Sequence, residues 1–178
     1  GTILDTARLR YGLSEHFQVA QGNIHAYVFG EHGDTSFIPW SGAYVSGVSL
    51  DEYYETVEKM GRNVTKIDKD AMLEYVRTSG GQVIANKGAT FYAVSVAVCK
   101  LVATILSSSD SVATVSSMMH GEYGISGISL SMPAIVGLNG IETHVPISLD
   151  ADEAEKLRES AETLKKIAAE LDLSTAIS

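Results

Sequence analysis

Ile24-His25-Ala26-Tyr27-Val28-Phe29-Gly30-Glu31-His32-Gly33-Asp34 reads as an apolar strand that runs directly into a turn, with glycine on both sides of an acid–histidine pair. Glycine tolerates backbone angles that other residues resist, so such a turn can aim its imidazole into a cleft. Histidine titrates closest to neutrality, which makes an aimed one a natural proton donor or acceptor. By itself the turn is equally readable as a polar surface loop. A second group should orient the ring, and Leu4-Asp5-Thr6-Ala7-Arg8 upstream offers a carboxylate and a guanidinium three residues apart on an expected helix.

Outward from this turn the periodicity predicts an α+β layout, with helices grouped against antiparallel sheet. Thr2 is expected to cap a helix over Leu4–His16. Beyond the turn, Phe37–Trp40 and Ala43–Val48 read as short strands and Leu50–Met60 as an amphipathic helix, followed by a polar connector at Gly61–Lys66. Asp68–Asn86 reads as a longer helix, although Gly80-Gly81 is a costly pair inside one. Thr90–Leu106 is apolar nearly all round and is expected to be a buried central helix, with Cys99 a buried structural thiol. Val112–Met118, Gly127–Gly137 and Ile141–Leu149 read as strands, the last two joined at the turn-forming Asn139-Gly140. Asp150–Leu171 closes the chain as an amphipathic helix.

The 178 residues are 45% hydrophobic, enough for one good core, and carry a net charge of −9. That acidity argues against a nucleic-acid partner or an anionic membrane, each of which wants a basic face. One cysteine excludes an intrachain disulfide and a multi-cysteine metal site, and fits a reducing cytosol. His120 and His144 lack metal-like spacing with other ligands, so no metal is expected. No apolar run is long and smooth enough to span a bilayer. No Gly-x-Ser-x-Gly elbow supports a hydrolase. No Gly-x-Gly-x-x-Gly fingerprint of dinucleotide binding occurs either. A start at Gly1, with a helix signal almost at once, reads as a piece of something longer.

Gly1-Thr2-Ile3-Leu4-Asp5-Thr6-Ala7-Arg8, then His25 to Asp34, Lys87-Gly88-Ala89-Thr90 and Met132-Pro133-Ala134-Ile135, together resemble the L-lactate dehydrogenase branch of the lactate/malate dehydrogenase family. The resemblance runs essentially from Gly1 to Ser178 and covers only the C-terminal, substrate-binding and catalytic domain of such enzymes. It implies NAD as cofactor, held mainly by an N-terminal Rossmann domain that this chain does not contain. It also implies a cytoplasmic enzyme of glycolysis, reducing pyruvate to L-lactate in fermentation, and a homo-oligomer, a tetramer when intact. A malate or branched-chain L-2-hydroxy acid dehydrogenase, or a domain serving only subunit assembly, remains an open alternative.

Residue by residue, the resemblance makes His32 the general acid/base and Asp5 the carboxylate that orients it. A charge held that close favours the protonated imidazole a keto acid must meet. Arg8 would grip the substrate carboxylate with two parallel hydrogen bonds. At about 100° per residue, Asp5 and Arg8 project roughly 60° apart, whereas Arg10 lies about 200° from Arg8 and points elsewhere. Thr90 would line the side-chain pocket, where a small neutral group favours pyruvate over oxaloacetate, and Val94 would wall the nicotinamide. Gly80-Gly81 is assigned either to that pocket or to close helix packing. Arg10 and His25 match positions that bind fructose 1,6-bisphosphate in allosteric bacterial members. Leu138 departs from the arginine common in bacterial relatives, which loosens the substrate and effector assignments.

Overall fold

The computed structural model describes residues 1–107 and 109–171, so Ser108 and the last seven residues of the expected domain lie outside it. Among the described residues, five α-helices and two three-stranded antiparallel sheets alternate along the chain. In order they are α1 (Thr2–Phe17), β1 (Ile24–His25), β2 (Tyr44–Val45), β3 (Val48–Ser49), α2 (Leu50–Lys59), α3 (Lys69–Lys87), α4 (Tyr92–Leu106), β4 (Ser111–His120), β5 (Ser126–Gly137), β6 (Gly140–His144) and α5 (Ala151–Glu170). The sheets are ordered β1-β2-β3 and β4-β5-β6. This is the expected α+β layout.

Two cores flank the segment that enters the histidine turn. Ile24, Ala26 and Val28 point into a core with Leu9, Leu13 and Phe17 of α1, Leu50 and Tyr54 of α2, and Val76 of α3. Phe29 points the other way, into a core with Leu130 and Met132 of β5 and Leu157 and Ala161 of α5; Tyr27 packs on its margin. Alternate side chains of extended backbone face opposite sides, so a segment buried on both faces reads as an unbroken apolar run. Only Ile24–His25 of the expected strand is paired in a ladder. Phe29 and Gly30 make single bridges to Phe37 and Ser131, and the Val28 amide donates to Thr6 Oγ1 at 3.1 Å.

Several local expectations shift. Gly1, not Thr2, is the N-cap of α1, and Thr2 is a buried residue of its first turn. The expected strand at Phe37–Trp40 reduces to the Phe37 bridge, and Trp40–Gly42 is a 3₁₀ turn. Ala43–Val48 splits into β2 and β3 around Ser46-Gly47, both at positive φ (51° and 83°), the two-residue turn whose twist suits a hairpin. The turn between β5 and β6 is centred on Leu138-Asn139, one residue earlier than expected, with Gly137 paired to Gly140. β6 ends at His144, short of Leu149.

The helix ends follow side-chain chemistry. Asp68 accepts from the amides of Asp70 and Ala71 to start α3, and Gly88 at φ 77° ends it. Asp150 and Glu153 form a capping box on α5. α4 begins at Tyr92 rather than Thr90, and none of its residues is buried. Val96 is 68% and Leu106 73% exposed, and Cys99 is exposed too, which overturns the expected buried helix and buried thiol. An all-round apolar pattern says that a helix wants cover on every side; α1 and β5 touch only part of α4.

Candidate active site

The first turn of α1 sets the site. Thr6 is pinned by the Val28 amide and by Thr114 Oγ1 of β4 at 2.9 Å, fixing how α1 lies against the segment that carries the histidine turn. Asp5, one residue earlier, is 4% exposed. Its Oδ2 accepts from His32 Nδ1 at 2.6 Å and its Oδ1 from Arg8 Nη1 at 3.0 Å. An ionised carboxylate only accepts, so Nδ1 carries the ring hydrogen and Nε2 is left for whatever enters the cleft. A Cβ on Gly1 would run into the His32 ring, so that N-cap position must stay bare. The side chain of His32 is 60% exposed, while those of Asp5 and Arg8 are almost covered.

The turn itself is held by a closed set of bonds. Gly30, at φ 89°, exchanges backbone bonds with Ser131 of β5 at 3.0 Å each way. The Glu31 amide donates to Ser160 Oγ of α5 at 2.9 Å, and Ser160 Oγ lies 3.0 Å from Thr35 Oγ1. The Thr35 hydroxyl is placed to donate to Glu31 Oε1 at 2.6 Å or to Ser160 Oγ. A Cβ on Gly30 would stand 2.7 Å from Ser160 Oγ. Arg77 of α3 reaches over the turn from the other side, donating to the Ser36 carbonyl and to Ser36 Oγ.

These groups meet at a cavity of about 560 Å³. Asp5, Arg8 and His32 line one side of it, Arg77, Gly80 and Gly81 of α3 another, and Thr90 and Val94 the approach to and first turn of α4. Five expected site residues are thus brought together from three separate stretches of chain. Val94 is 42% exposed and faces this space. Arg10 and His25 are not in the lining. Arg10 Nε donates to the Ala26 carbonyl at 3.0 Å, and its guanidinium lies 4.9 Å from the Tyr27 ring centre; His25 is exposed.

Sequence reasoning missed Thr6, Ser160 and Arg77. The signal for Ser160 was a hydroxyl on the apolar stripe of α5, between Leu157 and Ala161; Arg77 stands three residues before Gly80 and shares its helix face. It also left His144 unassigned. That ring bridges Ser117 Oγ at 2.6 Å and Glu122 Oε1 at 2.5 Å, and the bond from His144 holds the Glu122 carboxyl down at about 2. Among the described residues no cluster of His, Cys, Asp or Glu is placed to hold a metal ion.

Residues 2–172 match the family model of the lactate/malate dehydrogenase α/β C-terminal domain. The L-lactate dehydrogenase of Acetivibrio thermocellus is 43% identical over 97% of this chain, and L-lactate dehydrogenase 1 of Clostridium acetobutylicum 42% identical over 93%. Those matches cover 54% and 52% of the two relatives, so the chain spans about half their length. The solved L-lactate dehydrogenase of Clostridium thermocellum superposes with a TM-score of 0.84 at 37% identity, over 97% of this chain and 55% of that one. A lactate dehydrogenase from a deep-sea metagenome superposes at 0.87 with 30% identity, over 93% of this chain and 52% of the other. With a carboxylate-oriented histidine, an adjacent arginine and this match along the chain, the protein belongs to the lactate/malate dehydrogenase family, as its α/β C-terminal domain.

Proposed function

We propose that this chain is the substrate-binding and proton-transfer half of an NAD-dependent L-lactate dehydrogenase that interconverts pyruvate and L-lactate. The observation that carries the reading is the Asp5 carboxylate, which holds His32 by one oxygen and Arg8 by the other at the mouth of one cavity. Arg8 binds the carboxylate of a 2-keto acid with the guanidinium edge not engaged by Asp5. His32 gives its Nε2 proton to the carbonyl oxygen in reduction and takes it from the hydroxyl in oxidation. Asp5 fixes the tautomer and stabilises the imidazolium between turnovers, the orienting role of a triad acid without a nucleophile. NADH, when bound, supplies the hydride for the carbonyl carbon. Val94 gives the nicotinamide an apolar wall, and Thr90 borders the substrate side chain.

The test is NADH oxidation by a polypeptide carrying this chain with its nucleotide-binding half, comparing pyruvate with oxaloacetate. Faster turnover of pyruvate supports lactate dehydrogenase. A preference for oxaloacetate moves the enzyme to the malate branch with the same proton machinery, and no turnover with either overturns the reading.

An effector reading stands on a separate observation, the Arg10 guanidinium held at the carbonyl of Ala26, which follows His25 in the chain. We place a fructose 1,6-bisphosphate site there, completed by a second subunit of a homotetramer, in a cytoplasmic enzyme of lactate fermentation. Activation by the bisphosphate should weaken in Arg10→Leu; undiminished activation in that variant removes the site.

A further inference from the structure

His144, which takes no part in the site around His32, stands between a hydroxyl and a carboxylate. Its Nε2 lies 2.6 Å from Ser117 Oγ of β4, and its Nδ1 lies 2.5 Å from Glu122 Oε1 in the turn that joins β4 to β5. The bond from His144 is the chief cause that holds the Glu122 carboxyl down at about 2, so it is ionised at neutral pH. An ionised carboxylate only accepts, so Nδ1 carries the ring hydrogen and Nε2 presents a lone pair. The Ser117 hydroxyl is therefore the donor to Nε2. Hydroxyl, imidazole and carboxylate in that order ready a serine oxygen for attack, with the base in reach of the nucleophile and an acid orienting the base. The acid is itself held. Glu122 Oε2 accepts from the His120 amide at 2.6 Å, and the Tyr123 hydroxyl donates to the Ile147 carbonyl at 2.8 Å, tying this turn to the chain that leaves β6. The His144 side chain is only 9% exposed, whereas Ser117 is half-buried on an edge strand of its sheet. The missing Gly-x-Ser-x-Gly elbow does not decide the matter, because such constellations recur on unrelated folds and are defined by geometry and roles.

We propose that Ser117, His144 and Glu122 form a second reactive site, at which Ser117 is acylated by neutral short-chain esters that are then hydrolysed. The Ser117 oxygen bonds to the ester carbonyl carbon while its proton passes to His144 Nε2. The ester C–O bond then breaks, and that proton leaves with the alcohol oxygen. Water next bonds to the acyl carbon and gives a proton to Nε2; the carboxylic acid departs as Ser117 Oγ takes the proton back. The half-buried position of Ser117 favours a slim acyl group. The negative Glu122, in a chain of net charge −9, disfavours phosphate esters and substrates with a carboxylate of their own. None of Asp5, Arg8 and His32 takes part, so this site stands or falls apart from the keto acid reading.

The experiment exposes the polypeptide carrying both halves to p-nitrophenyl acetate and, separately, to an alkyl fluorophosphonate, and locates any adduct by peptide mass spectrometry. The native protein should release a burst of about one p-nitrophenolate per chain, the mark of an accumulating acyl-enzyme, and Ser117 should carry the acetyl or phosphonyl group. Ser117→Ala should abolish the burst and the adduct while leaving pyruvate reduction unchanged. His144→Ala should slow labelling of Ser117 by roughly 10²–10⁴-fold, the contribution of a positioned base, and Glu122→Gln should slow it by about tenfold or more. Labelling of the native protein decides the question even where a variant fails to fold. No adduct at Ser117, adducts confined to other residues, or labelling of Ser117 at the native rate in a folded His144→Ala protein overturns the proposal.

Discussion

At the scale of single residues, the chemistry rests on how one buried carboxylate is shared. Asp5 serves His32 and Arg8 at once, so Asp5→Asn should misplace the imidazole hydrogen and disturb the arginine, whereas His32→Gln removes only the proposed proton carrier. Each should lower kcat for pyruvate reduction by roughly 10²–10⁴-fold in the enzyme with both halves, measured by NADH oxidation. Arg8→Lys should act on KM instead, because an ammonium cannot pair with Asp5 and also offer a planar fork to the substrate; a rise of about tenfold or more is expected in steady-state kinetics. Away from the site, Glu122 gives a pH signature. Its carboxyl is held at about 2 in the folded chain against an ordinary 4.5, chiefly by the bond from His144. A depressed carboxyl contributes stability above its unfolded value and loses it as pH falls towards the folded one. Unfolding midpoints between pH 5 and pH 2 should therefore fall less steeply in Glu122→Gln than in the native sequence; equal slopes would contradict the assignment.

At the scale of elements, the histidine turn is a product of three helices as much as of its own glycines. α1 supplies the acid, α5 props the turn from beneath through Ser160, and α3 clasps it through Arg77. Removing the Ser160 hydroxyl leaves the Glu31 amide without its partner and breaks the ring through Thr35. Ser160→Ala should destabilise the fold by about 1–3 kcal/mol in denaturant titration, the range for a buried donor left unmade, and should lower kcat as well. The capping box at Asp150 and Glu153 is a purely structural counterpart: Asp150→Ala should cost about 1 kcal/mol and leave the pH dependence of turnover unchanged. α2, α3 and α5 fall within a residue or so of where periodicity puts them. The strand into the turn was over-extended for a related reason. Its apolar run reports burial on both faces by two cores, and burial is not the same as a hydrogen-bonded ladder.

At the scale of the whole molecule, α4 is an apolar helix with open flanks. Val96, Val98, Val102 and Leu106 are all substantially exposed, as is Phe91 before the helix, and together they form the kind of surface that marks an interaction face. Prepared as these 178 residues alone, the chain should bind a hydrophobic dye and self-associate in light scattering, and a Val96→Lys/Val98→Lys pair should reduce both; a monomer that binds no dye would contradict this. Its turnover of pyruvate with NADH should also fall far below that of an enzyme with both halves, because the nicotinamide contact proposed at Val94 is a single wall and no dinucleotide fingerprint follows any strand in this sequence. What the sequence determined by itself was the order and kind of most elements and the grouping of His32, Asp5 and Arg8 in one motif set, since periodicity and motif order are written along the chain. Only the tertiary structure decided that one carboxylate serves both partners, that Ser160, Thr6 and Arg77 hold the turn and its surroundings, that Gly80 and Gly81 line the cavity and that α4 stands uncovered. Each of those depends on groups between 22 and 129 residues apart, or on what a helix face meets, and packing in three dimensions alone brings such groups within reach.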